Sequence, residues 1–278
     1  MTPLTTPPRP AGYSVDWQIP AFTETLLRGK SHDYAVVIPV INEGERIRAL
    51  LSRMHEIGIS SIADIFIVDG GSSDGSLDET FLKSCDVTGL LIKTGPGRLS
   101  AQLRCAYAFC LSADYQGIVT IDGNNKDEPS PIHRFIEALE EGTDFVQASR
   151  FISGGMAENT PLSRYAAIRL IHAPLLSLFS GFRWTDTTQG FRAYSRALLE
   201  DPSVGAFRDV FNGYELLAYL SYRAPRLGFR CKELPTTRSY PKGEVPTKIS
   251  SFRGNLQVLR VLFATISGCY NPTKAPRS

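Results

Sequence analysis

The sequence predicts an α/β protein with a Rossmann-like, mainly parallel sheet that carries helices on both faces. Apolar, β-branched runs of strand length alternate with helical patterns, as crossovers between parallel strands require. Each of the first four predicted strands ends in Pro, Asp or Gly followed by polar residues. Because the carboxyl ends of parallel strands share one edge of a sheet, we expect these polar residues to converge there.

Five strand patterns fall within the first 150 residues. The five predicted strands cover residues 33–40, 64–68, 87–93, 118–121 and 144–149. Asn42 and Glu45 have capping-box spacing, which predicts the helix that follows the first strand. Further helices are predicted through Leu99 and over residues 130–140. Strand and helix patterns thus alternate, and we find no internal sequence repeat and no linker before about residue 150.

The pattern changes after Arg150. Residues 162–179 are apolar with a helical period, and we expect Pro174 to break that helix. Residues 212–222 predict a helix, residues 229–235 predict a strand, and residues 185–194 contain a short extended segment. Residues 249–266 predict an amphipathic C-terminal helix that is too polar to span a bilayer. The two apolar stripes fit packing against the core or docking on a membrane surface, and the sequence leaves both open.

Three segments are predicted along the chain. Residues 1–32 form an N-terminal extension that is partly disordered, residues 33–248 form the α/β domain, and residues 249–278 form the amphipathic helix and a basic tail. The polar loop over residues 242–251 marks the boundary between the last two.

Composition and charge limit the class of protein. With 278 residues, 42% of them hydrophobic and 21% charged, the chain is an ordinary globular protein rather than a disordered one. Its five cysteines are odd in number and form no CxxC pair, so we expect reduced thiols in the cytoplasm. No apolar run is long enough to predict a spanning helix. From residue 221 onward, eleven basic residues face two acidic ones, which suits anionic partners such as phosphates or a lipid surface.

The chemistry of the predicted edge centres on the end of the fourth strand. Residues 118–121 are followed by Asp122, a glycine turn, and then Asn124, Lys126 and Asp127. Ligands of open α/β sheets bind outside the carboxyl ends of the strands. Asp122 is therefore expected at the mouth of a crevice, with the other three side chains beside it.

Six short motifs in order give the chain a family resemblance. They occupy residues 39–43, 68–75, 122–124, 148–151, 186–192 and 213–215. In this order they resemble family 2 glycosyltransferases of the GT-A fold, and most closely the polyprenyl (dolichyl) phosphate mannose or glucose synthases. The resemblance implies a GT-A catalytic domain over residues 33–248 and a nucleoside-diphosphate sugar as donor.

The resemblance also implies the donor-binding residues. Pro39, Ile41 and Glu43 line the nucleoside pocket, and Asp69 holds the base or ribose. Simple helix capping by residues 42–43 and a turn over residues 69–75 are the alternatives. The remaining donor contacts implied or expected at the diphosphate are Arg98, Asp122, Asn124 and Lys126. Arg98 belongs to a glycine-rich turn that opens a helix, where backbone amides and a guanidinium can meet phosphate.

A divalent metal, Mg or Mn, is implied at the position where relatives carry two carboxylates. This chain departs from that pattern, because Asn124 replaces the second carboxylate and Lys126 replaces a neutral residue. An Asn side chain still offers a carbonyl oxygen to a hard cation. We therefore expect Asp122 and Asn124 as metal ligands, with Asp127 as an additional one.

Acceptor and catalytic residues are implied in the later motifs. Those expected to contact acceptor or phosphate are Arg150, Arg164, Arg192, Arg238 and Lys248. A lipid phosphate is already an anion at neutral pH, so its attack on the sugar needs no general base. A hydroxyl acceptor needs one, and Asp186 or Glu215 is then the candidate. With Asp122 and Arg150, these two carboxylates make up the expected catalytic set.

The resulting hypothesis is an inverting glycosyltransferase that moves a hexose from the donor to a polyprenyl phosphate or related acceptor at the cytoplasmic membrane face. A soluble family 2 transferase with a small hydroxylated acceptor and a non-catalytic nucleotide-binding module are the alternatives. We expect a cytoplasmic chain, with peripheral membrane attachment left open. No nucleic-acid partner is expected, and the sequence leaves the base, the sugar and the oligomeric state open.

Overall fold

A computed structural model describes residue 14, residues 16–241 and residues 252–272, the last range with side chains from residue 256 onward. The strands are β1 (Phe22–Leu26), β2 (Tyr34–Val40), β3 (Asp64–Asp69), β4 (Gly89–Lys93), β5 (Gly117–Thr120), β6 (Phe145–Ser149), β7 (Met156–Glu158), β8 (Arg192–Ser195), β9 (Cys231–Pro235) and β10 (Thr237–Ser239). The α-helices are α1 (Glu45–Glu56), α2 (Glu79–Ser84), α3 (Leu99–Ser112), α4 (Ile132–Glu140), α5 (Leu162–Ala167), α6 (Ala173–Ser180), α7 (Arg196–Glu200), α8 (Glu215–Arg226) and α9 (Phe252–Ile266).

Eight of these strands form one mixed sheet in the order β1-β4-β3-β2-β5-β8-β6-β9. The pairs among β4, β3, β2 and β5 are parallel, as is the pair of β6 and β9. Strand β8 runs antiparallel between β5 and β6. The predicted α/β class with a mainly parallel sheet is thus confirmed. The remaining two strands, β7 and β10, pair with each other in parallel.

The alternation of side chains along the buried strands fills a core on each face of the sheet. In β2, Ala35 and Val37 join the core that contains most of α3, whereas Val36 and Ile38 join the core beneath α1 and α4. All four side chains have no solvent exposure. Continuous apolar runs are what strands covered on both faces require. The sheet is therefore fixed rigidly beneath the loops at its carboxyl edge.

Part of the expected N-terminal extension belongs to the sheet. Residues 22–26 form β1, which pairs antiparallel with β4 over five residues. The segment carries Thr and Glu on an edge strand with mostly exposed side chains, so it lacks the apolar run of a buried strand. An edge strand needs only one hydrogen-bonded neighbour and little burial, which is why its pattern resembled a loose extension.

Pro174 does not end the helical segment as expected. A π-helical turn, Ile168–His172, joins α5 to α6, and Pro174 lies in the first turn of α6. At that position the missing N–H group of proline costs little, and the wider π turn accommodates the ring. The expected C-terminal helix is present as α9, and its Leu262 is fully buried in the core. Within the described ranges, no helix has the length and apolar character needed to cross a membrane.

Candidate active site

A cavity of about 620 Å³ opens at the carboxyl ends of β2, β3 and β5. Val40, Gly70 and Asp122, at or just after the ends of these strands, line it. The convergence of strand ends expected from the sequence is present. The volume lies within the range of small-molecule sites in proteins.

The predicted site residues divide into two groups. Those that line the cavity are Pro39, Ile41, Glu43, Arg98, Asp122, Asn124, Lys126, Arg164 and Arg238. Those described by the structure but placed behind or beside the wall are Asp69, Asp127, Arg150, Asp186, Arg192 and Glu215. Lys248 lies outside the described residues. The roles of both groups in binding or catalysis stay predictions.

The loops after β2 and β3 are tied together by side chains that resembled a helix cap and a turn. Asn42 does not cap α1, because its Oδ1 accepts a hydrogen bond from the backbone N–H of Ser73 at 2.8 Å. Its own N–H donates to the Ser72 hydroxyl at 2.9 Å. Asp69 in turn accepts hydrogen bonds from the Ser72 backbone and hydroxyl. The capping-box interpretation was therefore wrong, and Asp69 holds a loop in shape at the cavity edge.

Asp122 owes its position to two glycines. A Cβ atom on Gly190 would lie 2.0 Å from Oδ1 of Asp122, so only glycine leaves room for the carboxylate there. A Cβ on Gly123 would lie 3.0 Å from the Val40 side chain and 3.1 Å from the Pro39 carbonyl oxygen. The carboxylate is thus packed between the turn that follows β5 and the loop that precedes β8.

Arg238 binds both Asp122 and Asp127. Its Nη2 lies 3.2 Å from Oδ2 of Asp122, and its Nη1 donates to the carboxylate of Asp127. Asp127 has no side-chain exposure, and Arg238 is almost fully buried while still lining the cavity. Burial raises the pKa of Asp127, and the adjacent guanidinium opposes that rise. Because Asp127 does not line the cavity, we propose only Asp122 and Asn124 as metal ligands.

Lys126 points its positive charge into the same region. Only 6% of the residue is exposed. Burial, followed by the charges of Arg238 and Arg164, lowers the pKa of Lys126 to about 8. The backbone N–H of Lys126 donates to Oδ1 of Asn124 at 3.2 Å, which closes the turn after Asp122. Three cations therefore lie close together around Asp122.

Tyr240 is the shared neighbour of these cations. The Lys126 ammonium lies 5.0 Å from the ring centroid, and the guanidinium carbons of Arg164 and Arg238 each lie 5.9 Å from it. Tyr240 follows β10 and is 3% exposed. No sequence signal pointed to this residue, because a short strand with polar residues at both ends has no distinctive pattern.

Arg150 and Asp186 form a buried ion pair instead of facing the cavity. Nε of Arg150 lies 2.7 Å from Oδ2 of Asp186, and both side chains have at most 1% exposure. Burial alone would raise the pKa of Asp186, but the ion pair and the hydrogen bond from Gln189 reverse that effect and lower it. Arg150 also donates to the hydroxyl of Thr188, which lines the cavity. A paired carboxylate with a lowered pKa and no exposure is a poor general base.

Arg192 and Glu215 also lie outside the cavity lining, and both form hydrogen bonds with the backbone of segments next to it. Arg192 is buried and donates to the backbone carbonyl oxygens of Gln189, Thr187 and Leu217, so its charge holds the chain between β8 and α8. Glu215 begins α8 and accepts a hydrogen bond from the backbone N–H of Gly213 at 2.6 Å. Its neighbour Tyr214 lines the cavity.

Among the described residues, the cavity wall carries six cationic side chains and two carboxylates. The cations are Arg46, Lys93, Arg98, Lys126, Arg164 and Arg238, and the carboxylates are Glu43 and Asp122. Sequence reasoning missed Arg46 and Lys93. Lys93 ends β4, so the rule that strand ends face the site could have identified it. Arg46 lies in the first turn of α1, and its ion pair with Glu43 at 3.0 Å gave no signal in the sequence.

The cavity wall offers few ligands for a divalent metal. They fit a metal ion that is bound by the protein and by a phosphorylated ligand together. Asp122 offers a carboxylate and Asn124 a carbonyl oxygen at the cavity wall. In the described part of the chain, no cluster of three or more His, Cys, Asp or Glu side chains could hold a metal alone. Magnesium is commonly held by one or two carboxylates together with substrate phosphates and water. Asp122 and Asn124 match that arrangement.

An exposed apolar ridge lies on the helical segment that contains Arg164. We use this name for Leu162, Leu170, Ile171, Leu178 and Phe179. Leu162 is 85% exposed, and Leu170 and Leu178 are each 75% exposed. Exposed Arg169 directly precedes Leu170, and Arg226 donates to the Phe179 carbonyl oxygen at 3.0 Å. The ridge is therefore apolar with basic residues at its margin.

A mainly parallel sheet with a positively charged cavity at its carboxyl edge is typical of α/β enzymes that act on phosphorylated substrates. The chain belongs to glycosyl transferase family 2, whose family model matches residues 35–201. The expected glycosyltransferase activity class is thereby confirmed.

Named relatives are polyprenyl-phosphate enzymes. The chain is 29% identical to the polyprenol monophosphomannose synthase of Mycolicibacterium smegmatis, over 73% of this chain and 76% of the relative. It is 28% identical to the undecaprenyl-phosphate mannosyltransferase of Micrococcus luteus, over 72% of this chain and 81% of the relative.

A solved structure supports the fold. Glucosyl-3-phosphoglycerate synthase from Mycobacterium tuberculosis, in complex with Mn²⁺, uridine diphosphate and phosphoglyceric acid, superimposes with a TM-score of 0.58 at 18% identity. The match covers 88% of this chain and 81% of the synthase. The synthase structure contains Mn²⁺, and at this identity the likeness to our chain extends to the fold alone.

Proposed function

We propose that this glycosyltransferase moves a hexose from a nucleoside-diphosphate sugar to a polyprenyl phosphate. One observation carries the choice of acceptor: Arg164 lines the cavity from α5, and the apolar ridge is exposed on the same helical segment. An acceptor with a phosphate head and a long hydrocarbon tail needs both surfaces side by side. The named activities of the two mannosyl-transferring relatives support the same acceptor class.

The charge of the cavity supports two phosphorylated substrates. The six cations and two carboxylates among the described wall residues give a net positive charge of four. A nucleoside-diphosphate sugar carries about two negative charges, and a phosphate monoester carries about 1.5 to 2 at neutral pH. The wall is therefore positive enough to attract both phosphorylated substrates.

In the proposed reaction, an oxygen of the acceptor phosphate attacks the anomeric carbon of the sugar. The bond from that carbon to the donor diphosphate breaks, and the nucleoside diphosphate departs with the electron pair. Direct displacement of this kind inverts the anomeric carbon. Because the attacking phosphate is already an anion, no general base is required. The buried, ion-paired position of Asp186 and the position of Glu215 outside the cavity wall are compatible with that chemistry.

Cationic side chains stabilise the charge that develops on the departing diphosphate. We assign this role to Lys126 and Arg238, together with Arg98 on the glycine-rich turn, which lines the same cavity. Groups preorganised at the developing charge stabilise the transition state more than the ground state. A divalent metal held by Asp122 and Asn124 would add Lewis-acid stabilisation of the same charge.

The nucleoside is assigned to the part of the wall formed by Pro39, Ile41 and Glu43. Pro39 lies near the end of β2, and Ile41 and Glu43 lie in the loop after it, which is held against the loop after β3 by Asn42 and Asp69. Backbone and side-chain groups fixed in this way can form the few hydrogen bonds that select a base. A comparison of donors that differ in the base identifies the one selected.

The apolar ridge is assigned to a membrane surface, where it would bring Arg164 to the level of the lipid headgroups. Interfacial helices bind through buried apolar area together with attraction of basic residues to anionic lipid. We assign this contact to the cytoplasmic face, as the sequence predicts.

The test is a transfer assay with radiolabelled UDP-, GDP-, CDP- and TDP-hexoses, undecaprenyl or dolichyl phosphate, and Mn²⁺ or Mg²⁺. We expect a label that extracts into organic solvent with one donor. Parallel reactions with 3-phosphoglycerate replace the lipid by a small soluble acceptor. A water-soluble labelled product formed only in those reactions would replace our proposal with the soluble transferase. Nucleotide binding without transfer to either acceptor would favour the non-catalytic module.

A further inference from the structure

Tyr240 contacts three cations that approach the cavity from different segments of the chain. Lys126 comes from the turn after β5, Arg164 from α5 and Arg238 from β10. Their charged groups lie 5.0, 5.9 and 5.9 Å from the centroid of the tyrosine ring. These distances fall within the range of attraction between a cation and an aromatic ring.

The ring itself is held in place by the backbone. The N–H of Tyr240 donates to the Glu158 carbonyl oxygen at 3.1 Å, and Nδ2 of Asn159 donates to the Tyr240 carbonyl oxygen at 3.1 Å. Glu158 ends β7, which pairs with β10 immediately before Tyr240. With 3% exposure, the ring is fixed between the small two-stranded sheet and the cavity.

Three positive charges around one ring repel each other when no ligand is bound. The electron-rich faces of the ring and the carboxylates that bind Arg238 offset this repulsion. The cluster therefore stays assembled in advance of ligand binding, at the boundary between the proposed donor contacts, Lys126 and Arg238, and the proposed acceptor contact, Arg164.

We propose that Tyr240 is a positioning residue that holds Lys126, Arg164 and Arg238 at the spacing needed to bind the donor diphosphate and the acceptor phosphate side by side. The inference rests on the proposed function for the identity of the two ligands. It assigns Tyr240 no contact with the reacting atoms, since its effect passes through the three cations.

The first test measures binding of inorganic pyrophosphate by isothermal titration in a buffer with EDTA, so that only the protein supplies positive charge. Wild-type protein is expected to bind, Tyr240→Phe to bind within about threefold of it, and Tyr240→Leu to lose about tenfold in affinity. No binding by the wild type, or equal affinities for all three proteins, would overturn the proposal. Equal losses in the Phe and Leu variants would overturn it too, because the hydroxyl would then be responsible.

A matched control separates positioning from simple packing. Phe151 contacts the guanidinium groups of Arg150 and Arg169 at 5.1 and 5.4 Å but does not line the cavity. Phe151→Leu is expected to leave pyrophosphate affinity unchanged. A loss equal to that of Tyr240→Leu would show that any lost aromatic contact weakens binding, which contradicts the proposal.

If Tyr240→Leu does not fold, a variant with pentafluorophenylalanine at position 240 takes its place in the binding measurement. It keeps the shape of the ring and reverses its electrostatic character, so the affinity should fall below that of Tyr240→Phe by about tenfold. Unchanged affinity would refute the role of the ring face. Because pyrophosphate binding requires no transfer, this result is independent of whether the polyprenyl phosphate assay succeeds.

Discussion

Arg150 and Asp186 form an ion pair with a 2.7 Å contact and almost no solvent exposure, directly behind the cavity wall. The pair connects the chain after β6 to the loop before β8, and through Thr188 it reaches the wall itself. Two residues that the sequence placed among catalytic groups thus stabilise the wall from behind. This arrangement leads to a direct test of their roles.

Asp186→Asn is expected to lower the free energy of unfolding by about 3–5 kcal/mol, because it leaves the buried Arg150 without its counter-charge. Urea denaturation followed by circular dichroism measures the change. Glu215→Gln is the control and should cost about 1 kcal/mol or less, since the amide oxygen can still accept the Gly213 hydrogen bond. An Asp186→Asn protein with unchanged stability and no transfer activity would restore Asp186 as a catalytic base.

Gly190→Ala is expected to displace the Asp122 carboxylate, because the new Cβ would lie 2.0 Å from Oδ1. The displacement would also break the 3.2 Å contact with Arg238. A misplacement of about 1 Å at a reacting centre can cost about 100-fold in rate, so we expect a loss of about 100-fold in kcat/KM. Gly29→Ala is the matched control, since a Cβ atom at that position would meet nothing within 4 Å in the described part of the chain. If steady-state kinetics of the two variants agree, the position of Asp122 does not matter for transfer.

His172 is expected to make stability depend on pH between about 4 and 6.5. Burial, reinforced by Arg192 and opposed by Asp186, lowers the pKa of His172 to about 4. Below its ordinary pKa of about 6.5, the unfolded chain takes up a proton that the folded chain refuses, so this contribution to stability is present above pH 6.5 and is lost as pH falls toward 4. Between pH 7.5 and 5 the loss is about 2 kcal/mol.

The measurement compares wild type with His172→Gln by urea denaturation at several pH values. Gln stays neutral and can still bond to the Thr187 hydroxyl, which lies 2.6 Å from Nδ1 of His172. The stability difference between the two proteins should change by about 2 kcal/mol from pH 7.5 to pH 5, to the disadvantage of the wild type. A difference that does not change with pH would show that His172 titrates normally in the folded chain.

The double variant Leu170→Glu, Leu178→Glu is expected to weaken binding to anionic lipid vesicles by more than about tenfold, because it places charge on the two 75% exposed leucines of the apolar ridge. Co-sedimentation with phosphatidylglycerol vesicles measures it. Transfer to a short, water-soluble isoprenyl phosphate should stay at the wild-type rate. Ile57→Glu, at a 46% exposed residue after α1, is the control and should bind vesicles normally. Vesicle binding that survives the double substitution would move the membrane contact elsewhere.

Local sequence predicted much of the framework that carries the candidate site. The β-branched runs that end near Pro39, Asp69 and Asp122 identified parallel strands and the edge where their polar residues meet. This worked because a buried parallel strand must be apolar along its whole length, and because strand ends of one sheet share an edge. Most of the predicted donor-binding residues accordingly line one cavity.

Local sequence could not distinguish a charge that faces the cavity from one that supports the wall behind it. Arg150 and Arg164 look alike in sequence, yet the first is paired with Asp186 and the second lines the cavity. Likewise, the sequence did not predict β1, because an edge strand needs few apolar residues. It did not point to Tyr240 either, because the three cations beside that ring come from distant segments.

The sequence by itself determined the parallel strands of the sheet, the edge that forms the cavity and the family of the chain, since these depend on periodicity and on motifs within short windows. Tertiary structure alone decided which partner each charge has: Asp127 and Asp122 share Arg238, and Lys126 joins Arg164 beside Tyr240. Electrostatic interactions depend on distance and burial in space. Arg238 meets Asp127 and Asp122 here, although it lies 111 and 116 positions from them along the chain.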